Sequence, residues 1–292
     1  MKRNKILNIL LVLILSFVLA SCTKKSNITT KTTKTPYTAS FAFNTPVKDE
    51  YNLKKMESYY SSFDLEAIKT KSGEELIYYI KSFISNIPYI SLKNYGTLRQ
   101  DLLKTDQSVN SSLYITLFYS REDTTSAWDA GKTWNREHIY PRNIGGFDSD
   151  YNKSTQSIVF DLHHVRPVDS SVNSSRSDSP YGEVANKATA RQVKTKSGKL
   201  AGYLQNDVFE PIDSVKGDVA RIIMYVSVCY YLEYSKTVEL SDVITNIALA
   251  LKWNKQDPVD QSEINRNSIA YKEQGNRNIF IDFPEIADLI WG

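Results

Sequence analysis

The chain has 292 residues, a formal net charge of +3 and two cysteines, Cys22 and Cys229. Two cysteines exclude a disulfide-stapled scaffold, and so small a charge excludes a wholesale basic surface for nucleic acid. With 41% hydrophobic and 24% charged residues, the composition is that of a globular chain that builds its own core.

Lys2, Arg3 and Lys5 precede a nearly unbroken apolar run from Ile6 to Ala20. The run falls short of the roughly 20 residues that span a bilayer. It ends in "LASC", so residues 1–21 are predicted to be a lipoprotein signal peptide cleaved before an acylated Cys22. The mature chain is then expected outside the cytoplasm, as a bacterial cell-surface lipoprotein anchored to the membrane at Cys22. Residues 22–46, rich in Lys, Thr and Ser, read as a tether that cannot bury enough apolar surface to order itself. Residues 47–292 show no break in composition and are expected to form one domain.

Without Lys2, Arg3 and Lys5 the net charge is zero. Without the tether residues Lys24, Lys25, Lys31 and Lys34 as well, the domain stands at −4. Between Gly131 and Lys199, however, 11 basic residues face 7 acidic ones. A local basic segment therefore lies inside an acidic domain.

Along the domain, apolar residues at 76, 77, 80, 83, 84 and 87 predict a helix capped by Ser72 and ended by Pro88. Residues 112–120 read as a strand. Residues 157–165 alternate partly, with Ile158, Phe160 and Leu162 on one face and Asp161 and His163 on the other. Asp169 suits the start of a short helix through "DSSVNSSR". Helices are predicted over 217–234 and, capped by Ser241, over 240–254. Cys229 falls in the former and reads as a small buried side chain. The class is α+β, helix-rich, with a few strands in the middle.

All three histidines fall in this middle region, His138 in "WNREHIYPR" and His163 and His164 in "DLHHVRP". Histidine is the side chain suited to proton transfer near neutral pH. Glu137 precedes His138 directly; on a strand the two face opposite ways, and at a strand end both can border one cavity. A glutamate is a hard oxygen ligand for Mg²⁺, and Asp161, Asp169 and Asn173 are candidates for a second ligand. Arg166 and Arg176 are available for phosphate. Zinc on His163 and His164 is disfavoured, because neighbours on a strand diverge and no "HExxH" or paired cysteines occur. "GKT" at 131–133 is not a phosphate loop, since Ser126 stands where glycine is needed; it reads as a turn entering a strand. Tyr230, Tyr231 and Tyr234 read as packing residues.

Four segments together resemble the bacterial endonuclease I family: "WNREHIYPR", "DLHHVRPVDSSVNSSRSDSPYGEV", "FEPIDSVKGDVAR" and the C-terminal run from Trp253. The likeness covers residues 70–292 in family order. It implies a ββα-metal (His-Me finger) nuclease that cuts DNA, and often RNA, with little sequence preference, leaving 5′-phosphates. On that pattern His138 is the general base, and Glu137 and Asn173 hold one Mg²⁺, with Mn²⁺ or Ca²⁺ as alternatives. An arginine meets the scissile phosphate, with Arg176 preferred over Arg142 and Arg166, which are then expected to bind substrate beside Lys187. His163 and His164 would support the finger. The chain departs from the family's "NRNPFIDHP", carrying Ile279 and Phe283 at the Pro and His positions. The competing reading is a catalytically weakened surface protein of this fold that only binds nucleic acid.

Overall fold

The computed structural model describes residues 56–87, 94–147, 157–232 and 238–292. The predicted signal peptide, Cys22, the tether, Pro88 and Tyr234 lie outside them.

In chain order, helix α1 (Gly73–Ser85) forms on the expected stripe and buries Leu76, Ile77, Ile80, Phe83 and Ile84. Ser72 stands at its N-cap but accepts no capping hydrogen bond; Glu74 and Glu75 supply the favourable first-turn charge instead. Helix α2 (Leu98–Thr105) follows. Strands β1 (Tyr114–Thr116) and β2 (Asp123–Thr125) form an antiparallel hairpin. The 112–120 strand is shorter than expected. Leu117 N–H donates to Glu122 O at 2.8 Å and Arg121 N–H to Leu117 O at 2.9 Å, which closes a turn there.

Strand β3 (Trp134–His138) and helix α3 (Arg142–Gly145) come next. Strand β4 (Val165–Asp169) pairs antiparallel with β3, setting Glu137 opposite Arg166 and His138 opposite Val165. Helix α4 (Ser170–Arg176) leaves β4 directly, and the Asp169 side chain accepts from Ser171 N and Val172 N as its N-cap. The partly alternating segment before β4 is a 3₁₀ turn, Ile158–Phe160, followed by a second turn. Every residue of this segment is buried, so the alternation marked no exposed face. Asp161 closes the second turn by accepting from His163 N at 2.7 Å.

Strands β5 (Arg191–Lys194), β6 (Leu200–Gln205) and β7 (Val208–Pro211) form a three-stranded antiparallel sheet. Helix α5 (Lys216–Cys229) is buried at every position, so it runs through the core rather than over it. Gly217 is required near its start, where a Cβ would lie 1.9 Å from Asp257 O. The helix stops at Cys229, short of the predicted 234. Helix α6 (Ile247–Gln256) starts later than expected and is capped by Asn246, not Ser241. Residues 243–245 are drawn out straight because Tyr181 N–H donates to Val243 O and Thr245 N–H to Tyr181 O, both at 2.8 Å. Helices α7 (Gln261–Gln274), α8 (Ile279–Asp282) and α9 (Ile286–Trp291) complete the described chain. Helices α1, α6 and α8 pack on α5.

Much of the interior is charged and paired. Arg221 forks onto Glu263 at 2.8 and 2.6 Å, Arg266 onto Asp106 at 2.9 and 3.0 Å, and Arg277 onto Asp282 at 2.7 and 2.7 Å. Such pairs fix geometry more than they stabilise, because both ions lose their water. Asp161 is a hub: its carboxylate accepts from Tyr225 and Tyr230, each at 2.7 Å, and from Gln274 Nε2 at 2.9 Å. It ties the turn before β4 to α5 and α7. Ile279 and Phe283 are also core. Ile279 opens α8, the one helical position that proline suits, and the Phe283 ring meets Tyr60 edge-on at 5.0 Å.

Candidate active site

His138 ends β3 in a buried position, 6% exposed. Its Nε2 lies 3.2 Å from Val159 O. A carbonyl can only accept, so Nε2 carries the proton and Nδ1 keeps its lone pair. Burial first, then the neighbouring His164 and Arg142, hold the imidazole well below its ordinary range. It is therefore neutral at physiological pH. The Tyr95 ring lies nearly parallel to it, with centroids 6.0 Å apart.

Glu137 points to the other face of β3, as strand geometry requires. Its Oε1 accepts from Arg176 Nη1 at 3.1 Å and from Tyr119 OH at 3.2 Å. No hydrogen bond to Oε2 is found among the described residues. Burial pushes the carboxyl up to about 7, outweighing the Arg176 charge. Behind it, the Tyr119 and Tyr181 hydroxyls lie 2.6 Å apart, and Tyr181 OH is 3.0 Å from Ile139 O. Two hydroxyl protons cannot serve three acceptors. Arg176 Nη2 already donates to Ile139 O at 3.0 Å. The satisfied arrangement is Tyr181 donating to Tyr119, and Tyr119 donating to Glu137.

Asn173 is half-buried on α4, which packs against β3 and β4. Its Nδ2 reaches Arg136 O at 3.5 Å, which places the amide beside the residue preceding Glu137. Arg176, one turn further on, is 1% exposed, with its guanidinium on Glu137, His138 O and Ile139 O and over the Tyr181 ring. It faces inward rather than toward a surface where a phosphate could lie. Arg166 is likewise buried, 3.5 Å from Asp106 and over the Phe118 ring. Lys187 is exposed but engaged by Glu210 and Asp213 at 2.9 and 3.5 Å. Arg142 is half-buried at the start of α3, near enough to His138 for its charge to be felt there.

The remaining oxygen candidates are taken: Asp161 by the hub in the core and Asp169 by the α4 cap. His163 Nε2 meets Asn276 O at 2.9 Å. His164 accepts Tyr140 N–H on Nε2 and donates from Nδ1 to Ile158 O, both at 2.9 Å. Both rings are held by backbone, and neither is placed for zinc. Among the described residues no three His, Cys, Asp or Glu side chains converge as a metal cluster. The carboxylate of Glu137 and the amide of Asn173 are few, hard oxygen donors. They fit Mg²⁺, which keeps most of its waters, better than a softer metal.

Tyr119, Tyr181 and Val159 O had no signal in the sequence. They come from distant segments and do their work through single hydroxyl or carbonyl atoms.

The endonuclease I family profile matches residues 45–285. An extracellular ribonuclease of Bacillus subtilis is 35% identical over 239 residues, covering 77% of each chain. A periplasmic deoxyribonuclease of Aeromonas hydrophila is 24% identical over 218 residues, 65% of this chain and 86% of its own. Endonuclease-1 of Buchnera aphidicola (strain Bp) is 33% identical over 132 residues, 45% of this chain and 49% of its own.

Proposed function

We propose that this chain, which belongs to the endonuclease I family and is an endonuclease, hydrolyses phosphodiester bonds of both RNA and DNA with His138 as general base. The observation that carries this reading is the His138 imidazole: buried, neutral, its tautomer set by Val159 O, and beside a carboxylate held from behind. The ribonuclease name of the Bacillus relative and the deoxyribonuclease name of the Aeromonas relative support the breadth of substrate. Their extracellular and periplasmic names support a place outside the cytoplasm, where we expect Cys22 to carry the lipid anchor. We read β3, β4 and α4 as the ββα-metal unit.

In this account the Nδ1 lone pair takes a proton from the attacking water, and the Nε2–H bond to Val159 keeps that lone pair aimed. A base below its ordinary pKa remains unprotonated at neutral pH and so is ready for each turnover. Glu137 and Asn173 would hold a hydrated Mg²⁺, whose chemistry is to neutralise charge developing on the phosphate oxygens and the leaving O3′. Arg176 and Tyr119 position Glu137. Arg142, close to His138 and half-buried, is the arginine we assign to the phosphate. Water attack at phosphorus with departure of O3′ leaves a 5′-phosphate and a 3′-hydroxyl.

Incubating the full chain with duplex DNA, single-stranded DNA and RNA tests the proposal. Cleavage of each in Mg²⁺, arrest by EDTA and 5′-phosphate ends are expected. Undiminished cleavage in EDTA would remove the metal assignment, and binding without any cleavage would favour the weakened-binder reading.

A further inference from the structure

We propose that Tyr95, Arg136, Trp128 and Arg99 form a strip that binds single-stranded nucleic acid beside the scissile phosphate, with the Trp128 indole as its base-stacking face. The inference rests on the nuclease reading and specifies the form of the substrate.

The four side chains alternate aromatic and cationic groups, starting at the general base. Tyr95 lies parallel to His138, at an interplanar angle of 14°. The Arg136 guanidinium sits 3.6 Å from the Tyr95 ring centre and 5.1 Å from that of Trp128. Arg99 closes the row, 5.6 Å from the Trp128 ring centre. Three separate segments supply these groups: the 94–99 turn and α2 start, the loop before β3, and β3 itself. Each side chain is half-buried, so each keeps an accessible edge. Trp128 is also anchored, its ring edge-on to the fully buried Trp134 at 5.0 Å.

The chemistry of the row matches one class of ligand. An indole face stacks on any base at about the strength of a good hydrogen bond, without reading its identity. Arg99 is paired with no acid among the described residues, so its charge is available to a phosphate. Two guanidinium groups, 5.6 and 5.1 Å from the Trp128 ring centre, suit the phosphates that flank a stacked base. In a duplex the bases are stacked on one another and cannot reach a side chain. An unpaired strand can present a base to Trp128 while its neighbouring phosphate lies at His138. The strip therefore favours single strands over duplex.

The test uses the full chain with Mg²⁺ and a phosphorothioate oligothymidylate that resists cleavage, either alone or annealed to its complement. The single strand should bind about ten-fold or more tightly than the duplex and quench the indole emission. Trp128→Ala should weaken single-strand binding about ten-fold and remove most of the quench, whereas Trp128→Phe should retain most of the affinity. Arg99→Gln should reduce the salt slope on the single strand by about 0.7, one phosphate's share. That substitution keeps the Trp128–Trp134 ring contact, so it decides the matter should Trp128→Ala fail to fold. Equal affinity for duplex, or a single-strand Kd and salt slope that none of these changes moves, overturns the strip. If that happens while cleavage of nucleic acid persists, the strip alone is wrong; if nothing is bound or cut, the nuclease reading fails with it.

Discussion

Arg176 and Glu137 form an ion pair with both side chains almost wholly withdrawn from solvent, 1% and 6% exposed, at 3.1 Å. The carboxylate proposed to hold metal thus owes its position to an arginine that the family pattern suggested for the phosphate. If Arg176 serves position, Arg176→Ala should lower stability by about 3 kcal/mol, as losing one member of a buried pair does. Denaturant unfolding measures this. A phosphate-contacting arginine would show the reverse, with activity lost and stability kept. Arg176→Lys should recover only part of the stability, since one ammonium cannot serve Glu137, His138 O and Ile139 O together.

Tyr119→Phe removes the second donor to Glu137 Oε1, while the Tyr181 hydroxyl turns to Ile139 O at 3.0 Å. We expect a stability loss of about 1–2 kcal/mol and weaker Mg²⁺ binding by calorimetry. Tyr181→Phe should cost less, because Ile139 O keeps its bond from Arg176. Unchanged Mg²⁺ affinity in Tyr119→Phe would show that the hydroxyl does not orient the carboxylate.

His163 gives the fold a pH dependence whose sign is fixed. Burial lowers its pKa from 6.5 to about 4, so between those values the unfolded chain binds a proton that the folded chain does not. Its contribution is complete above pH 6.5 and is lost as pH falls toward 4, about 3 kcal/mol over that window. Glu137 and Glu263, both raised to about 7, act oppositely between their ordinary values and 7. The His163 share is isolated by comparing unfolding of the wild type and His163→Asn from pH 7 to pH 4. The wild type should lose stability more steeply, by close to one proton. Parallel curves would mean that His163 does not titrate as its burial requires.

Sequence periodicity found the helices whose pattern matched their burial. The stripe from Leu76 to Ile84 is the buried face of α1, and the apolar run around Ile222 is the core helix α5. It failed where tertiary bonds set the backbone: Tyr181 straightens 243–245, and the turn at Asp161 breaks up an alternating run in which every residue is buried. At the site, the adjacency of Glu137 and His138 and the cap at Asp169 were legible because they are local. Arg176 was legible as important but not as inward-facing, since its partners Glu137 and Tyr181 are set by how α4 lies on β3. Tyr95 and Trp128 gave no signal, because what matters about them is which rings they face.

We expect the His138 Nδ1 lone pair to remove the proton from the attacking water. Single-turnover cleavage of a labelled oligonucleotide in saturating Mg²⁺ by His138→Ala, folded by circular dichroism, tests it directly. The rate should fall about 10²- to 10⁴-fold while oligonucleotide affinity stays near that of the wild type, and added imidazole should restore part of the rate. Cleavage by His138→Ala at the wild-type rate would mean that another group takes the proton.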